Sequence, residues 1–376
     1  MFVIGLMSGT SLDAIDGVLA EFPPSGRHPR TLAHASVALP ASLREELLAL
    51  NSPGADELHR AALASIALAD LSAQVVDALQ QAAPQVPRQD IRAIGSHGQT
   101  VRHQPQAGYT LQLNAPARLA ENTGIAVVAD FRSRDVAAGG QGAPLVPAFH
   151  QAIFGGDVLR VVLNLGGIAN ISVLPPDGLP SAGTVIGFDT GPANVLLDLW
   201  CLRHTGRPYD ANGRFASAGQ VRHALLDFLL ASEPWLGAAP PKSTGRDLFH
   251  AAWLDSRLND FSARSDSTLS AADVQATLVA FTSRTVADAI HRHAGQQGEL
   301  YVCGGGAANP VLMRALADCL PGFAVRPTDV LGVPAQQVEA LAFAWLAHAH
   351  VQGMPGNLPA VTGARGPRIL GAYYPA

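Results

Sequence analysis

The chain has 376 residues, of which 48% are hydrophobic and 15% are charged, and its formal net charge is −5. This length exceeds the usual size of one domain and predicts two lobes. The negative charge and the lack of any Lys or Arg run argue against a protein dedicated to nucleic acid and against a basic membrane patch. The N-terminus lacks the pattern of a signal peptide, and no stretch has both the length and the flanks of a membrane span. We therefore expect a cytoplasmic globular protein.

Three cysteines, Cys201, Cys303 and Cys319, are scattered along the chain. They are too few for a disulfide framework, and no two of them have the spacing of a CxxC metal site. Free thiols of this kind fit a reducing cytoplasm, where they usually serve as small apolar side chains.

Two short apolar stretches near the N-terminus, 2–6 and 18–20, predict strands joined by a polar turn, which is a β-hairpin signal. Glycine and hydroxyl groups in the turn suit a phosphate, and its two aspartates suit a hard cation. The turn is not a Walker A loop, because the spacing differs and no Lys follows. A plain polar connection is the alternative interpretation. The turn residues in question are Gly9, Thr10, Ser11, Asp13 and Asp16.

Residues 23–30 predict a loop, and the apolar spacing over 41–50 and 55–83 predicts two helices. The apolar stretch 91–95 predicts a strand that ends in the polar segment 96–103. Ligand groups lie at such strand ends in open α/β sheets. The side chains there that suit a polyhydroxyl ligand are His97, Gln99, Thr100, Arg102 and His103. Taken alone, His97 is more typical of a structural histidine whose hydrogen bonds are satisfied within the protein.

A predicted strand at 126–129 leads to Arg132 and Asp135, which could pair with each other and have no further role. Glycines 139, 140 and 142 follow, and they indicate a backbone that approaches a ligand closely or moves. Gln141 within this glycine cluster is a further donor and acceptor for a sugar.

A second hairpin is predicted at 160–174, where apolar strands flank a turn of glycines and short polar side chains. It repeats the pattern of the first hairpin, so an internal duplication is expected. The apolar stretch 184–186 and a predicted helix at 193–205 enclose the polar segment 187–194. Asp189 in this segment is a candidate general base, and the alternative is that it only caps the helix.

Most of the remaining chain is predicted to be helical, at 217–231, 246–262, 271–294, 308–318 and 337–346. The polar segment 242–247 either caps the second of these helices or has a functional role. The tail 353–376 is rich in Pro and Gly and is predicted to be irregular.

A predicted strand at 299–303 leads to Gly304, Gly305 and Gly306. Three glycines leave a flat backbone surface on which a base or a ribose could lie, although a triple glycine is also a common tight turn. Glu339 is a lone carboxylate near the start of a strongly apolar helix, where the helix dipole alone could stabilise it.

Two strand–glycine–strand units, one strand–glycine–helix unit and long helices between them follow the plan of the actin-like, Hsp70-like and sugar-kinase ATPases. Nine segments that span nearly the whole chain resemble the anhydro-N-acetylmuramic acid kinase family and lie in its order. They are GLMSGTSLDAIDG (5–17), SHGQTVRH (96–103), ADFRSRDVAAGGQGAPLVP (129–147), NLGGIANIS (164–172), GFDTGPAN (187–194), KSTGRDLF (242–249), CGGGAANP (303–310), VEALAFAWLA (338–347) and LPAVTGA (358–364). Ala14 and Ala193 stand where the family usually has glycine, and Asp247 where it usually has glutamate.

The resemblance implies two similar actin-like (ribonuclease H-like) α/β lobes, 1–150 and 151–376, with a nucleotide and sugar cleft between them. It implies that water opens the 1,6-anhydro ring of anhydro-N-acetylmuramic acid and that the γ-phosphate of ATP is transferred to the freed 6-oxygen. The products would be N-acetylmuramic acid 6-phosphate and ADP, in the recycling of cell-wall (peptidoglycan) sugars. Mg²⁺ is expected, because phosphoryl transfer depends on positioning and charge neutralisation. A homodimer is compatible with the resemblance.

The resemblance also assigns site residues. Asp189 is the base for the water, and Glu339 is the second carboxylate beside the sugar or the water. Asp13 is the candidate metal ligand, although which aspartate contacts the metal stays open. Nucleotide contacts are expected from Gly9, Thr10, Ser11, Leu12, Asp13, Ala14, Ile15, Asp16, Asn164, Gly166, Gly167, Gly304, Gly305, Gly306 and Asn309. Sugar and lactyl-carboxylate contacts are expected from His97, Gln99, Thr100, Arg132 and Gln141.

Two alternatives remain at this point. One keeps the fold and phosphorylates a free hydroxyl without ring opening, as an ordinary sugar kinase does. The other is a non-catalytic ATP-binding protein of the actin or Hsp70 type. A metal hydrolase is disfavoured, because the 13 histidines show no HExxH or similar spacing.

Overall fold

The computed structural model describes residues 1–9, 12–23, 28–178, 183–245, 248–265 and 268–376. The strands within them are β1 (Phe2–Ser8), β2 (Ala14–Glu21), β3 (Arg30–Ala38), β4 (Ile91–Ser96), β5 (Gln99–Gln104), β6 (Tyr109–Leu113), β7 (Val127–Ala129), β8 (Arg160–Leu165), β9 (Ile168–Leu174), β10 (Ile186–Pro192), β11 (Gly298–Cys303), β12 (Phe323–Pro327) and β13 (Ala372–Tyr374). The α-helices are α1 (Ala41–Ala49), α2 (Glu57–Ala82), α3 (Pro116–Thr123), α4 (Ser133–Ala137), α5 (Val146–Phe154), α6 (Asn194–Thr205), α7 (Arg214–Ser217), α8 (His223–Ala231), α9 (Ala251–Ser262), α10 (Ala271–His293), α11 (Pro310–Cys319), α12 (Val338–Val351) and α13 (Pro359–Thr362).

The chain divides into two compact units. The first unit comprises Met1–Ile153 together with Gln337–Ala376, and the second comprises Phe154–Gln336. The sequence-based division placed 337–376 with the second lobe. The structure places this segment with the first unit, because its helix α12 packs against β1, β2 and β4.

The first unit contains a six-stranded sheet in the order β13-β7-β4-β1-β2-β3. Strands β1, β2 and β3 form an antiparallel meander, whereas β4 runs parallel to β1 and β7 runs parallel to β4. Residues Val3–Leu6 of β1 are buried on both faces, as expected for a central strand covered on both sides.

The second unit contains a five-stranded sheet in the order β10-β9-β8-β11-β12. Here β8, β9 and β10 form the antiparallel meander, and β11 and β12 follow in parallel beyond β8. Both units therefore share the strand order 3-2-1-4-5 with the same directions. The predicted duplication is visible in this topology, and the predicted fold class of two ribonuclease H-like (actin-like) α/β units is confirmed.

Helix α12 lies against β1 and β4 at two glycines. A Cβ atom on Gly5 would overlap the carbonyl oxygen of Ala340, and a Cβ on Gly95 would overlap that of Phe343. Only glycine lets a helix backbone approach a strand this closely. The two glycines therefore fix the position of the helix whose first turn carries Glu339.

Each unit has its own hydrophobic core. In the first unit, α2 contributes Leu68, Val75 and Leu79 to a cluster with the sheet. By length and composition α2 could cross a membrane, contrary to the sequence analysis, and 39% of its most apolar window is buried inside the protein. Its buried face packs in the core, whereas Leu63 and Ile66 on the same helix are exposed. The core of the second unit is built around α10, which buries residues such as Phe281 and Ile290.

Several elements differ from the sequence expectations. Strand β3 follows directly after the predicted loop 23–30, and β5 and β6 form a separate two-stranded sheet that contains most of the polar segment 96–103. The predicted helix 217–231 is shorter in the structure: α8 begins at His223, and the separate helix α7 ends at Ser217. The tail 353–376 is not wholly irregular, because it includes α13 and the edge strand β13, which pairs with β7.

Candidate active site

Asp189 lies inside β10 and not on the turn that follows it. Its register partner is Asn170 of β9, and the register shifts between Asp189 and Gly191. The strand thus continues through the polar segment 187–194, and α6 begins only at Asn194. The bulge redirects the chain immediately after the candidate base, as bulges do beside active sites.

The contacts of Asp189 exclude the helix-cap interpretation. Its Oδ2 atom accepts a 2.9 Å hydrogen bond from the backbone N–H of Thr244, and its own N–H donates to the Lys242 carbonyl at 3.3 Å. The N-cap of α6 is Ala193, and no side chain caps that helix. Burial raises the pKa of Asp189 to about 6, against the opposing effects of the Thr244 N–H and the Lys242 cation. A carboxylate with this pKa can accept a proton near neutral pH.

Segment 242–245 reaches Asp189 and does not cap α9. That helix begins at Ala251, and its N-cap is His250, whose ring accepts the N–H of Trp253. The capping interpretation of 242–247 is therefore wrong for the described part of this segment. Arg246 and Asp247 lie outside the described residues. The hydroxyl of Thr244 is buried and has no hydrogen-bond partner among the described residues.

The second predicted phosphate turn, which contains Gly166 and Gly167, forms hydrogen bonds within the protein. The carbonyl oxygens of Gly166 and Gly167 accept the N–H groups of Ala193, Asn194 and Val195 at 3.0 Å. These amides at the start of α6 are therefore not free to bind a phosphate. The glycine faces themselves are open, since a Cβ on either would meet no heavy atom closer than 3.7 Å.

The glycines after β11 have different environments. A Cβ on Gly304 would overlap the Asn164 side chain at the end of β8, and one on Gly306 would lie 2.6 Å from the Leu165 Cβ. Both glycines thus permit close packing within the second unit. Gly305 is open, and it is the member of the three that has space for a ligand. Asn309 caps α11 by accepting the N–H groups of Val311 and Leu312.

The first predicted phosphate turn is described only in part, because Thr10 and Ser11 lie outside the described residues. Leu12 is buried in the left-handed region at φ +57°, and its N–H donates to the Gly9 carbonyl. A Leu in this region is strained, which is common near functional loops. Ala14, Ile15 and Asp16 belong to β2, where Ile15 is a core residue and Asp16 lies 3.8 Å from His34.

Asp13 is the predicted metal ligand and is largely exposed, 3.7 Å from the Arg44 guanidinium. Among the described residues no group of three or more His, Cys, Asp or Glu side chains could hold a metal ion. A magnesium ion in a kinase needs only one or two carboxylates, because phosphate oxygens and water complete its shell. A single accessible carboxylate beside a phosphate turn fits that requirement.

His97 and Arg132 form a direct pair in the first unit. The Nε and Nη2 atoms of Arg132 both lie 3.1 Å from His97 Nε2, and Nη1 donates to the Gly142 carbonyl at 2.8 Å. Burial, and then the Arg132 charge, lower the pKa of His97 well below its usual value. The imidazole is therefore neutral and accepts from the guanidinium, while its ring packs on Phe343 at 4.6 Å.

Arg132 keeps its charge in this buried place. Burial lowers its pKa to about 10, and the charges of Glu339 and Asp135 oppose that shift. Glu339 is thus coupled to the candidate sugar-binding arginine within the first unit, which the helix-dipole interpretation of Glu339 did not anticipate.

Asp135 does not simply pair with Arg132. This fully buried carboxylate accepts the Gly142 N–H at 2.8 Å, the Asn357 side-chain amide at 2.6 Å and the Thr362 hydroxyl at 2.8 Å. It ties the 139–142 loop to the C-terminal segment, whose Thr362 carbonyl also accepts the Gln141 N–H. Sequence reasoning missed this role, because Asn357 and Thr362 are more than 200 residues away in the chain.

The remaining polar side chains of segment 96–103 have partners within the first unit. Arg102 and His103 are among them, and the family resemblance assigns neither of them to the sugar. The contacts are Gln99 with the Ser8 hydroxyl, Thr100 with Gln112, Arg102 with the Leu50 carbonyl and Glu57, and His103 with Thr110. The sugar-binding candidates that the resemblance assigns all lie in the first unit: His97, Gln99, Thr100, Arg132 and Gln141.

Two units of ribonuclease H-like topology, one with a partly buried carboxylate of raised pKa and one with an arginine paired to a buried histidine, define a protein of the actin-like class. The family model for anhydro-N-acetylmuramic acid kinase matches residues 1–376. The chain belongs to the anhydro-N-acetylmuramic acid kinase family.

Curated relatives carry the same family name. The protein from Bordetella petrii is 62% identical over 373 residues, which cover 99% of this chain and 96% of the relative. That from Paraburkholderia xenovorans is 56% identical and covers 99% and 97%. Among solved structures, the activator of 2-hydroxyisocaproyl-CoA dehydratase from Clostridium difficile with bound ADPNP aligns with a TM-score of 0.47 at 14% identity, over 94% of this chain and 96% of the other.

Proposed function

We propose that the chain is an ATP-dependent kinase that opens the 1,6-anhydro ring of anhydro-N-acetylmuramic acid with water and phosphorylates the released 6-oxygen. The observation that carries the proposal is Asp189, a partly buried carboxylate that accepts the Thr244 N–H and has a pKa of about 6. The products are N-acetylmuramic acid 6-phosphate and ADP, which assigns the enzyme to peptidoglycan recycling in the cytoplasm.

The two chemical steps support each other. Water attacks the anomeric carbon while Asp189 accepts its proton, and the bond from that carbon to the bridging oxygen breaks. The bridging oxygen leaves with the electron pair and attacks the γ-phosphorus, whose bond to ADP then breaks. One base serves both steps, because the leaving oxygen is captured by phosphorus and needs no separate acid.

Arg132 is suited to the lactyl carboxylate of the sugar. Its contacts to His97 and Gly142 use one N–H on each of its three nitrogens. One N–H therefore remains on each terminal nitrogen, which is the fork that binds a carboxylate at two points. Glu339 adds a second carboxylate for the sugar or the water, and His97, Gln99, Thr100 and Gln141 supply neutral hydrogen bonds to the ring substituents.

The nucleotide is assigned to the two hairpin turns and to the glycines after β11. Gly166, Gly167 and Gly305 have open faces where a phosphate or a ribose can approach the backbone. We assign Asp13 to Mg²⁺, which when bound would neutralise phosphate charge during transfer. Gly9, Thr10 and Ser11 complete the phosphate contacts of the first turn.

The test is ADP release with the anhydro-sugar as the sole acceptor, run in ¹⁸O-water with early mass analysis of the product. Ring opening places one solvent oxygen on the anomeric carbon in every turnover. An ordinary sugar kinase would instead prefer N-acetylmuramic acid, and a non-catalytic ATP-binding protein would show turnover that ignores both sugars.

Asp189→Asn is expected to lower kcat by about 10²–10⁴-fold, the usual contribution of a general base. Asp227→Asn, which removes an exposed carboxylate from α8 in the same unit, is the matched control and should turn over normally. An Asp189→Asn protein with undiminished turnover would refute the assignment of the base.

A further inference from the structure

The chain contains a single lysine, Lys242, among 25 basic Lys and Arg residues. It lies two residues before the Thr244 N–H that binds Asp189, and its own carbonyl accepts the Asp189 N–H. Segment 242–244 thus contacts both the backbone N–H and the side-chain carboxylate of Asp189. This compositional signal was present in the sequence, but only the structure places the lysine beside Asp189.

The ammonium group of Lys242 is held in a specific cradle. Its Nζ donates to the Leu236 carbonyl at 2.9 Å and lies 3.4 Å from that of Trp235, and it sits 4.3 Å from the centre of the Trp235 ring. Carbonyl oxygens and an aromatic face both favour a cation. An ammonium group at this position uses both at once.

The cradle is itself fixed in the second unit. The Glu233 carboxylate accepts the N–H of Trp235 at 3.3 Å and the indole N–H of Trp253 at 3.0 Å, and Glu233 is buried. The 3₁₀ turn Pro234–Gly237, which carries the two carbonyls, is therefore held in place by Glu233. This contact also fixes the position of the Lys242 ammonium.

We propose that Lys242 is a positioning residue for Asp189: its cation, fixed in the Trp235–Leu236 cradle, holds segment 242–244 across β10 and keeps the base as a carboxylate. The proposal rests on the proposed function only where it concerns catalysis. The two side chains form no direct ion pair among the described residues. The Lys242 ammonium lies 6.0 Å from the ring centre of Phe188, the residue before Asp189, so its charge acts on the carboxylate from a distance.

Other charged groups around this pair come from α10. Arg292 opposes the Lys242 charge, and burial is the larger cause of the lowered pKa of that lysine. His293 packs edge-on against Phe188 at 4.9 Å, and burial with the neighbouring cations lowers its pKa. Neither group contributes to the raised pKa of Asp189, for which Lys242 is the cation that opposes burial.

The single lysine allows a direct test without any activity assay. In protein labelled with ¹⁵N-lysine, the side chain gives one ammonium signal, and its titration reports the pKa of Lys242. Because coupling between two sites is reciprocal, Asp189→Asn should lower that pKa by about half a unit to one unit. An unchanged lysine titration in Asp189→Asn would overturn the proposal, whether or not Asp189 is the base.

The kinetic test compares Lys242→Met with Lys242→Arg over pH 5.5–8. If the Asp189 pKa rises by about one unit, Lys242→Met should lose about eightfold in kcat/KM at pH 5.5, about twofold at pH 7 and almost nothing at pH 8. Lys242→Arg keeps the positive charge, so it should retain most of the kcat/KM of the unmodified protein below pH 7. Arg264→Met, which removes a cation over the Phe228 ring, should leave the profile unchanged.

If Lys242→Met lowered kcat/KM by the same factor at every pH, the role of Lys242 would be purely structural and the proposed effect of its charge would be overturned. If Asp189→Asn turns over normally while the lysine titration shifts, the proposed function fails and the coupling stands. The two proposals can therefore fail separately.

Discussion

Replacing Asp189 with Asn is predicted to stabilise the second unit at neutral pH, although it removes the proposed base. Asparagine has nearly the same shape, and its side-chain oxygen can still accept the Thr244 N–H. The substitution eliminates a buried charge, which is unfavourable to fold at pH 7. Active sites often hold such strained groups, and their removal exchanges activity for stability.

The magnitude follows from the pKa of about 6 in the folded state and the model value of 3.8 for a free aspartate. A raised pKa means that the folded state binds the proton more tightly, so this contribution to stability is complete below pH 3.8 and is lost as the pH rises through 6. Linkage gives a cost of about 3 kcal/mol at pH 7, about 1.5 at pH 5 and about 0.5 at pH 4. Burial of the neutral amide reduces the net gain in Asp189→Asn to about 1–3 kcal/mol at pH 7.

The assay is urea unfolding followed by tryptophan fluorescence at pH 7, 5 and 4. Three of the four tryptophans, Trp200, Trp235 and Trp253, belong to the second unit and report its unfolding. The stability gain of Asp189→Asn over the unmodified protein should shrink steadily towards pH 4, whereas Asp227→Asn should show no such trend. A variant that is less stable at pH 7, or equally displaced at all three pH values, would contradict the reasoning.

Two further predictions concern the first unit. Gly95→Ala should destabilise it by about 1–3 kcal/mol, because the new methyl group would overlap the Phe343 carbonyl and force α12 away from β4. Hydrogen exchange of the α12 amides measures this loss. The control is Gly54→Ala, whose methyl group would meet only the end of the Arg60 side chain, and its α12 amides should exchange as in the unmodified protein. Arg132→Lys should raise KM for the anhydro-sugar by about 10–100-fold with a smaller change in kcat, because lysine lacks the two-point fork; an unaltered KM for the sugar in steady-state kinetics would remove Arg132 from its assigned role, and KM for ATP serves as the internal control.

Much of the architecture was readable from the sequence because it is local. Both hairpins, the long helices α2 and α10, and the strand before the three glycines depend on apolar periodicity and turn residues that lie close together in the chain. The resemblance to the kinase family likewise depends on short segments in a fixed order, and the family match over residues 1–376 agrees with it.

The elements that were missed have weak local signals. Strand β12 and strand β13 are short, and β13 exists because its backbone pairs with β7 at the edge of the sheet. The predicted division, which placed 337–376 with the second lobe, also failed for lack of a local signal. No feature of helix α12 in the sequence states which sheet it covers, whereas Gly5 and Gly95 become meaningful only when that helix lies on them.

The sequence by itself determined the fold class and the family and predicted the residues of the site, because these depend on local patterns along the chain. The tertiary structure decided which polar groups are free to act. It buried Asp189 beside Lys242, joined Asp135 to Thr362 and committed Arg102 to structural contacts. Burial and distant partners set the charge state and the orientation of a side chain, and neither can be read from its neighbours in the chain.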